Sequence, residues 1–120
     1  MKLSEAIRMN GMMKPQGFGA ESYLSLEAPC VLGGALQMIG KLPHSRDYSL
    51  PITVWEFLMN RAKCPACSCA RRINVLGVLT HLNDWHKWTR SQIADWVETV
   101  EPAEPAQEQT CELVCTETTV

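Results

Sequence analysis

Two pairs of residues constrain this chain more than anything else in it: Cys64-Pro65-Ala66-Cys67, and His81 followed by His86 after Leu82-Asn83-Asp84-Trp85. The spacing is C-x2-C-x13-H-x4-H, within the tolerance of patterns that hold tetrahedral zinc, an ion that takes four thiolate or imidazole ligands. A C-x2-C turn aims two sulfurs at one centre, and Pro65 presets a backbone angle in that turn. His81 and His86 would lie roughly 140° apart around a regular helix, too far to share an ion. The helix is therefore expected to loosen between them at Asn83 and Asp84, both of which leave helical geometry readily by bonding to nearby backbone. Cys69 is a fifth candidate for four places. The ligand set read here is Cys64, Cys67, His81 and His86, with Cys69 replacing a histidine as the alternative.

A metal staple suits a chain of this size. With 120 residues, 46% of them hydrophobic and four Trp among them, the sequence fits one small folded domain. Net charge is −2, unevenly spread: residues 1–100 carry all 11 Lys and Arg against 8 Asp and Glu, and residues 101–120 carry five Glu and no base. Six cysteines in a short chain also suit a disulfide scaffold, which requires export. Residues 1–13 lack the apolar run of a signal peptide, with Glu5, Arg8 and Asn10 spread through them, and no later run is long enough to cross a bilayer. The expectation is a reducing cytoplasmic setting with no membrane partner, where paired cysteines hold metal more often than they oxidise.

The remaining signals are helical. Leu3, Ile7 and one Met form an apolar face in a first helix, with Ser4 as N-cap and Lys14-Pro15 as a late stop; Met12 and Met13 are read as core filler. Gly17-Phe18-Gly19 is a loop. Pro29 to Gly40 reads as a buried helix in which Gly33 and Gly34 imply close packing against another element. After a loop over 42–50, Thr53-Val54-Trp55-Glu56 is a capping box, opening a helix that runs into Cys64. A helix starting near Asn74 buries Val75, Val78, Leu79 and Leu82. Thr89-Arg90-Ser91-Gln92 is a second capping box, followed by an apolar stripe at Ile93, Trp96, Val97 and Val100. The expected fold is mostly α: a single helical domain over 1–100, stapled by a Cys2His2-type zinc site, with a disordered acidic tail over 101–120. In that tail Cys111, Cys115 and the terminal Thr118-Thr119-Val120 carry little.

Three function classes compete for the zinc stretch. The first is a protein-interaction module, with Trp55, Trp88 and Trp96 in the core and Trp85 presented to a partner beside a basic rim. The second is nucleic-acid binding by the bases of residues 61–90, Arg61, Lys63, Arg71, Arg72, Lys87 and Arg90, which face one acid, Asp84. In a DNA-reading finger the base contacts would fall on Asn74, Gly77 and Thr80, and glycine cannot read a base. The third is a His-Asn-His-like nuclease at His81, Asn83 and His86, which needs an open metal position that a closed four-ligand site does not leave. Cys30 with His44 as base is a weak nucleophile pairing, better read as a buried thiol. The balance favours a non-enzymatic binding protein with no small-molecule substrate, its contacts at Trp85, Arg71, Arg72, Lys87 and Arg90, its partner a protein or, alternatively, a nucleic acid.

Leu3-Ser4-Glu5-Ala6-Ile7-Arg8, Lys14-Pro15-Gln16, the helix from Cys30 to Gly40, Cys64-Pro65-Ala66-Cys67 and His81-Leu82-Asn83-Asp84-x-His86-x-Trp88-Thr89-Arg90-x-x-Ile93-Ala94-x-Trp96 together resemble a group of small proteins of tailed bacteriophages and prophages. The resemblance spans most of residues 1–97. It implies a phage or bacterial cytoplasmic setting and carries over no catalytic or binding role.

Overall fold

In a computed structural model, which describes residues 1–43, 45, 47–67 and 71–102, five helices and one short hairpin surround a single core. The helices are α1 (Leu3–Gly11), α2 (Val31–Met38), α3 (Ser49–Val54), α4 (Val75–Asp84) and α5 (Arg90–Val100). Strands β1 (Arg61–Lys63) and β2 (Arg72–Asn74) form the hairpin, and 3-10 turns occupy Ala20–Leu24 and Glu56–Met59. Helix α1 packs against both α2 and α5, and α4 contacts α2, α5 and the hairpin. Leu3 and Ile7 meet Leu32, Leu36, Leu79, Leu82, Ile93 and Val97 in a core from which water is excluded. None of these helices is long and apolar enough to cross a membrane.

Helix α1 starts two residues earlier than its sequence suggests. Lys2, not Ser4, is the N-cap, and the Lys2 amide donates to Glu5 Oε1 at 3.1 Å. Ser4 is buried inside the helix, where its hydroxyl donates to the Glu101 carboxylate, which also lies 3.9 Å from Lys2 Nζ. Residue 101, expected at the head of the tail, thus ties the end of α5 to the start of α1. Arg8 fastens the same two helices, donating to Asp95 at 2.6 Å and Glu98 at 2.7 Å. These two bonds raise the Arg8 pKa, and the Arg8 guanidinium lowers that of Glu98. Because α1 stops at Gly11, Met12 and Met13 fall beyond it and are exposed, Met12 by 86%, rather than filling the core.

Helix α2 is buried as its composition suggests, and its glycines are there for proximity. A Cβ on Gly33 would lie 2.4 Å from the Tyr23 carbonyl, and one on Gly34 would lie 2.1 Å from Asn10 Oδ1.

The segment before Cys64 departs most from expectation. Thr53 lies near the end of α3, with its hydroxyl donating back to the Ser49 carbonyl at 2.9 Å. It caps nothing. The helix is held at its start by Asp47, whose carboxylate accepts from the Ser49 amide and hydroxyl, and Pro51 sits in the first turn, where no amide hydrogen is required. Trp55, Phe57 and Leu58 are buried by a 3-10 turn, and the chain then enters β1 in place of a helix running to Cys64. The antiparallel register pairs Arg61 with Asn74, Ala62 with Ile73 and Lys63 with Arg72. Ala62 and Ile73 pack against the core, while Arg61, Lys63 and Arg72 are exposed on the other face. The tail reading, apart from residues 101 and 102, lies outside the described residues, as do His44, Cys69, Cys111 and Cys115.

Candidate metal centre

The hairpin delivers the two cysteines and the end of α4 delivers the two histidines. Cys64 follows β1 directly, and Cys67 lies three residues on in the connection between the strands. Asn74 turns the chain from β2 into α4, its side chain capping the helix by accepting from the Gly77 amide at 2.8 Å. One helix length later, His81 and His86 return to the hairpin loop.

The five-residue histidine spacing is reconciled by a widened turn. Asn83 and Asp84 stay helical; the departure comes after them. The His81 carbonyl accepts from the Trp85 amide at 2.9 Å and also from the His86 amide at 3.2 Å, a π-type step that brings residues five apart toward one face. Lys87 then adopts φ 57°, the left-handed conformation that ends the helix, and the Trp88 amide donates to the Leu82 carbonyl at 3.0 Å.

Asn83 braces that turn from inside. Its side-chain oxygen accepts from Gln16 Nε2 at 2.8 Å and from the Val31 amide at 3.3 Å, and its nitrogen donates to the Gly17 carbonyl at 3.0 Å and Asp84 Oδ1 at 2.7 Å. Gln16 also donates to the Trp88 carbonyl at 2.8 Å, and Asp84 accepts from the Gly19 amide at 2.8 Å. The Lys14-Pro15-Gln16 stretch and the His81-to-Trp88 stretch, distant in sequence, meet in this network.

Cys64, Cys67, His81 and His86 form a cluster whose potential ligand atoms all lie within 4.8 Å of one another. Cys67 Sγ lies 3.1 Å from His81 Nε2 and 2.9 Å from His86 Nε2, and the two Nε2 atoms are 3.1 Å apart. The imidazoles stand nearly perpendicular, at 88° with centroids 4.7 Å apart, so two nitrogens reach one point without the rings colliding. All four side chains are half-buried. Two thiols and two imidazoles converging in this way can hold one metal ion.

The remaining contact residues divide. Trp85 is 75% exposed, with its ring stacked at 10° and 6.2 Å on His81. Arg71, Arg72 and Lys87 are exposed, and Lys87 Nζ lies 4.5 Å from the centre of the Phe18 ring. Arg90 does not belong with them. It is only 8% exposed, donating to Asn10 Oδ1 at 3.0 Å and to the Lys14 carbonyl, and burial lowers its pKa. It joins α5 to α1 and is not a surface contact. Arg61, Lys63 and Arg72 stand out in the sequence as bases, but the hairpin that gathers them on one outer face does not; its one signal, the alternation in Arg61-Ala62-Lys63 and Arg72-Ile73-Asn74, is three residues long in each strand. Cys30 is buried, which raises its pKa and keeps it a thiol.

Comparison with protein-family models, curated proteins and solved structures yields no match.

Proposed function

We propose that the chain is a small zinc-stapled, non-enzymatic binding module of a phage or its bacterial host, docking a protein partner through Trp85. Zinc fits the donor set. Bonds of about 2.3 Å to sulfur and about 2.0 Å to nitrogen give a tetrahedron with edges of about 3.3 to 3.8 Å. The separations of 2.9 to 3.1 Å and the outer limit of 4.8 Å bracket those edges. Four protein ligands complete the coordination sphere, leaving no position for a hydrolytic water, which argues against the nuclease reading.

The observation that carries the docking role is Trp85. A large aromatic side chain held outside the core on a braced helix end gives a partner a rigid anchor at low entropic cost. Base reading by α4 is disfavoured for a separate reason. The outward residues of α4, Leu76, Gly77 and Thr80, are only half-exposed, Asn74 is occupied as a cap, and the Thr80 hydroxyl donates to the Gly77 carbonyl at 3.0 Å, so the positions that would read bases are small or already engaged.

The test is site-specific photo-crosslinking in host lysate, with the reactive group at position 85 and a control at Gln92, which is exposed on α5. One polypeptide recovered from position 85 and not from position 92, with capture lost on chelation, is the expected outcome. No polypeptide, or the same set from both positions, would remove the docking role.

A further inference from the structure

We propose that the outer face of the β1–β2 hairpin, carrying Arg61, Lys63 and Arg72, binds the phosphodiester backbone of a nucleic acid. This goes beyond the Trp85 reading and stands on a different surface. The first observation is a segregation of charge. On the helical body Arg8 pairs with Asp95 and Glu98 and Lys2 lies beside Glu101, while Arg90 is buried with Asn10 as a neutral partner. Arg61, Lys63 and Arg72 are exposed and, among the described residues, make no ion pair. Of the acids nearest in sequence on either side, Glu56 makes no ion pair with these bases among the described residues, and Asp84 is occupied with the Gly19 amide and Asn83.

The second observation is the register. Lys63 and Arg72 are direct cross-strand partners, and like charges placed opposite each other destabilise a strand pair. Arg61 lies on the same face, two residues along β1, at a spacing of about 7 Å. Arg72 donates to the Arg61 carbonyl at 3.2 Å, which orders its guanidinium without neutralising it. An anion bridging these groups relieves their repulsion. The metal centre does not: one divalent cation with two thiolates and two neutral imidazoles sums to zero charge.

The third observation selects the partner. The four strand residues of this face, Arg61, Lys63, Arg72 and Asn74, include no apolar side chain, whereas protein interfaces are built around apolar cores from which Lys is depleted. Affinity here must come from charge alone, as in backbone binding to phosphates.

The test is fluorescence anisotropy of the full, metal-loaded chain with labelled probes of about 20 nucleotides, single-stranded oligothymidylate and a duplex, between about 50 and 200 mM salt. Three phosphate contacts predict a log–log salt slope of about −2 for the single strand and about −2.7 for the duplex, or losses of roughly 20-fold and 40-fold across that range. Arg61→Gln, Lys63→Gln and Arg72→Gln together should abolish binding with metal content unchanged. If the triple variant fails to fold, Arg72→Gln alone should flatten the slope by about 0.7 to 0.9. Equal binding by the folded triple variant, an unchanged slope in Arg72→Gln, or a salt-independent affinity would overturn the proposal. So would displacement by polyglutamate as effective as by oligothymidylate, which would assign the face to an acidic protein. These results are independent of crosslinking at Trp85, so either role can fail alone.

Discussion

Burial holds the Cys30 thiol protonated in the folded chain, while its unfolded counterpart ionises near its ordinary value of 9.0. Folded stability from this group is fully present below that value and is lost as pH rises toward the folded pKa. Tyr23 extends the same trend, its pKa pushed by burial from 10.0 to about 12. Urea titrations should therefore show stability falling above about pH 9, with a shallower alkaline decline in Cys30→Ala. Asn83 is the other residue with large leverage. Asn83→Ala leaves the Gln16 side chain, the Gly17 carbonyl and the Val31 amide short of partners, and should cost about 1 to 3 kcal/mol in chemical denaturation. The four clustered side chains were legible in the sequence because cysteine and histidine spacing is discrete. The role of Asn83 was not. An asparagine near a helix end reads as a breaker, and only tertiary partners 52 to 67 residues away make it a brace.

Among the elements, α5 was the most legible. The Thr89–Gln92 capping box is formed, with Thr89 Oγ1 accepting from the Gln92 amide at 3.2 Å and Gln92 Oε1 accepting from the Thr89 amide at 2.9 Å. Thr89→Ala should lower stability by about 1 kcal/mol, seen as a lower thermal midpoint. Leu82→Ala removes a fully buried side chain from α4 and should cost about 2 to 5 kcal/mol. The hairpin was not legible. Two three-residue strands offer too short an alternation for the period of two to stand out, and Trp55, Leu58 and Met59 imitate helical spacing across a 3-10 turn. A ribbon this short is marginal alone. It persists because Ala62 and Ile73 reach the core, and the Cys64–Cys67 loop at its far end meets His81 and His86 at the end of α4.

The whole molecule divides into a helical body and a hairpin with the end of α4 set against it. The body of α1, α2 and α5 shares a continuous apolar core and is joined by Arg8, Arg90 and Glu101. A metal held by Cys64, Cys67, His81 and His86, as proposed, would fix the hairpin and the end of α4 upon it. Structural zinc binding is worth about 10 to 16 kcal/mol of apparent folding free energy in finger peptides, ample to order elements of this size. Chelation should accordingly raise amide exchange over residues 61–67 and 71–86 far more than in α1 or α2, with a partial loss of helicity. The most direct test of the central claim is metal content per chain by elemental analysis, on the wild type, Cys67→Ala and His86→Ala. One zinc per wild-type chain, lost in both variants, is the expected result. Wild-type protein free of metal, with hairpin exchange unmoved by chelator, would contradict it.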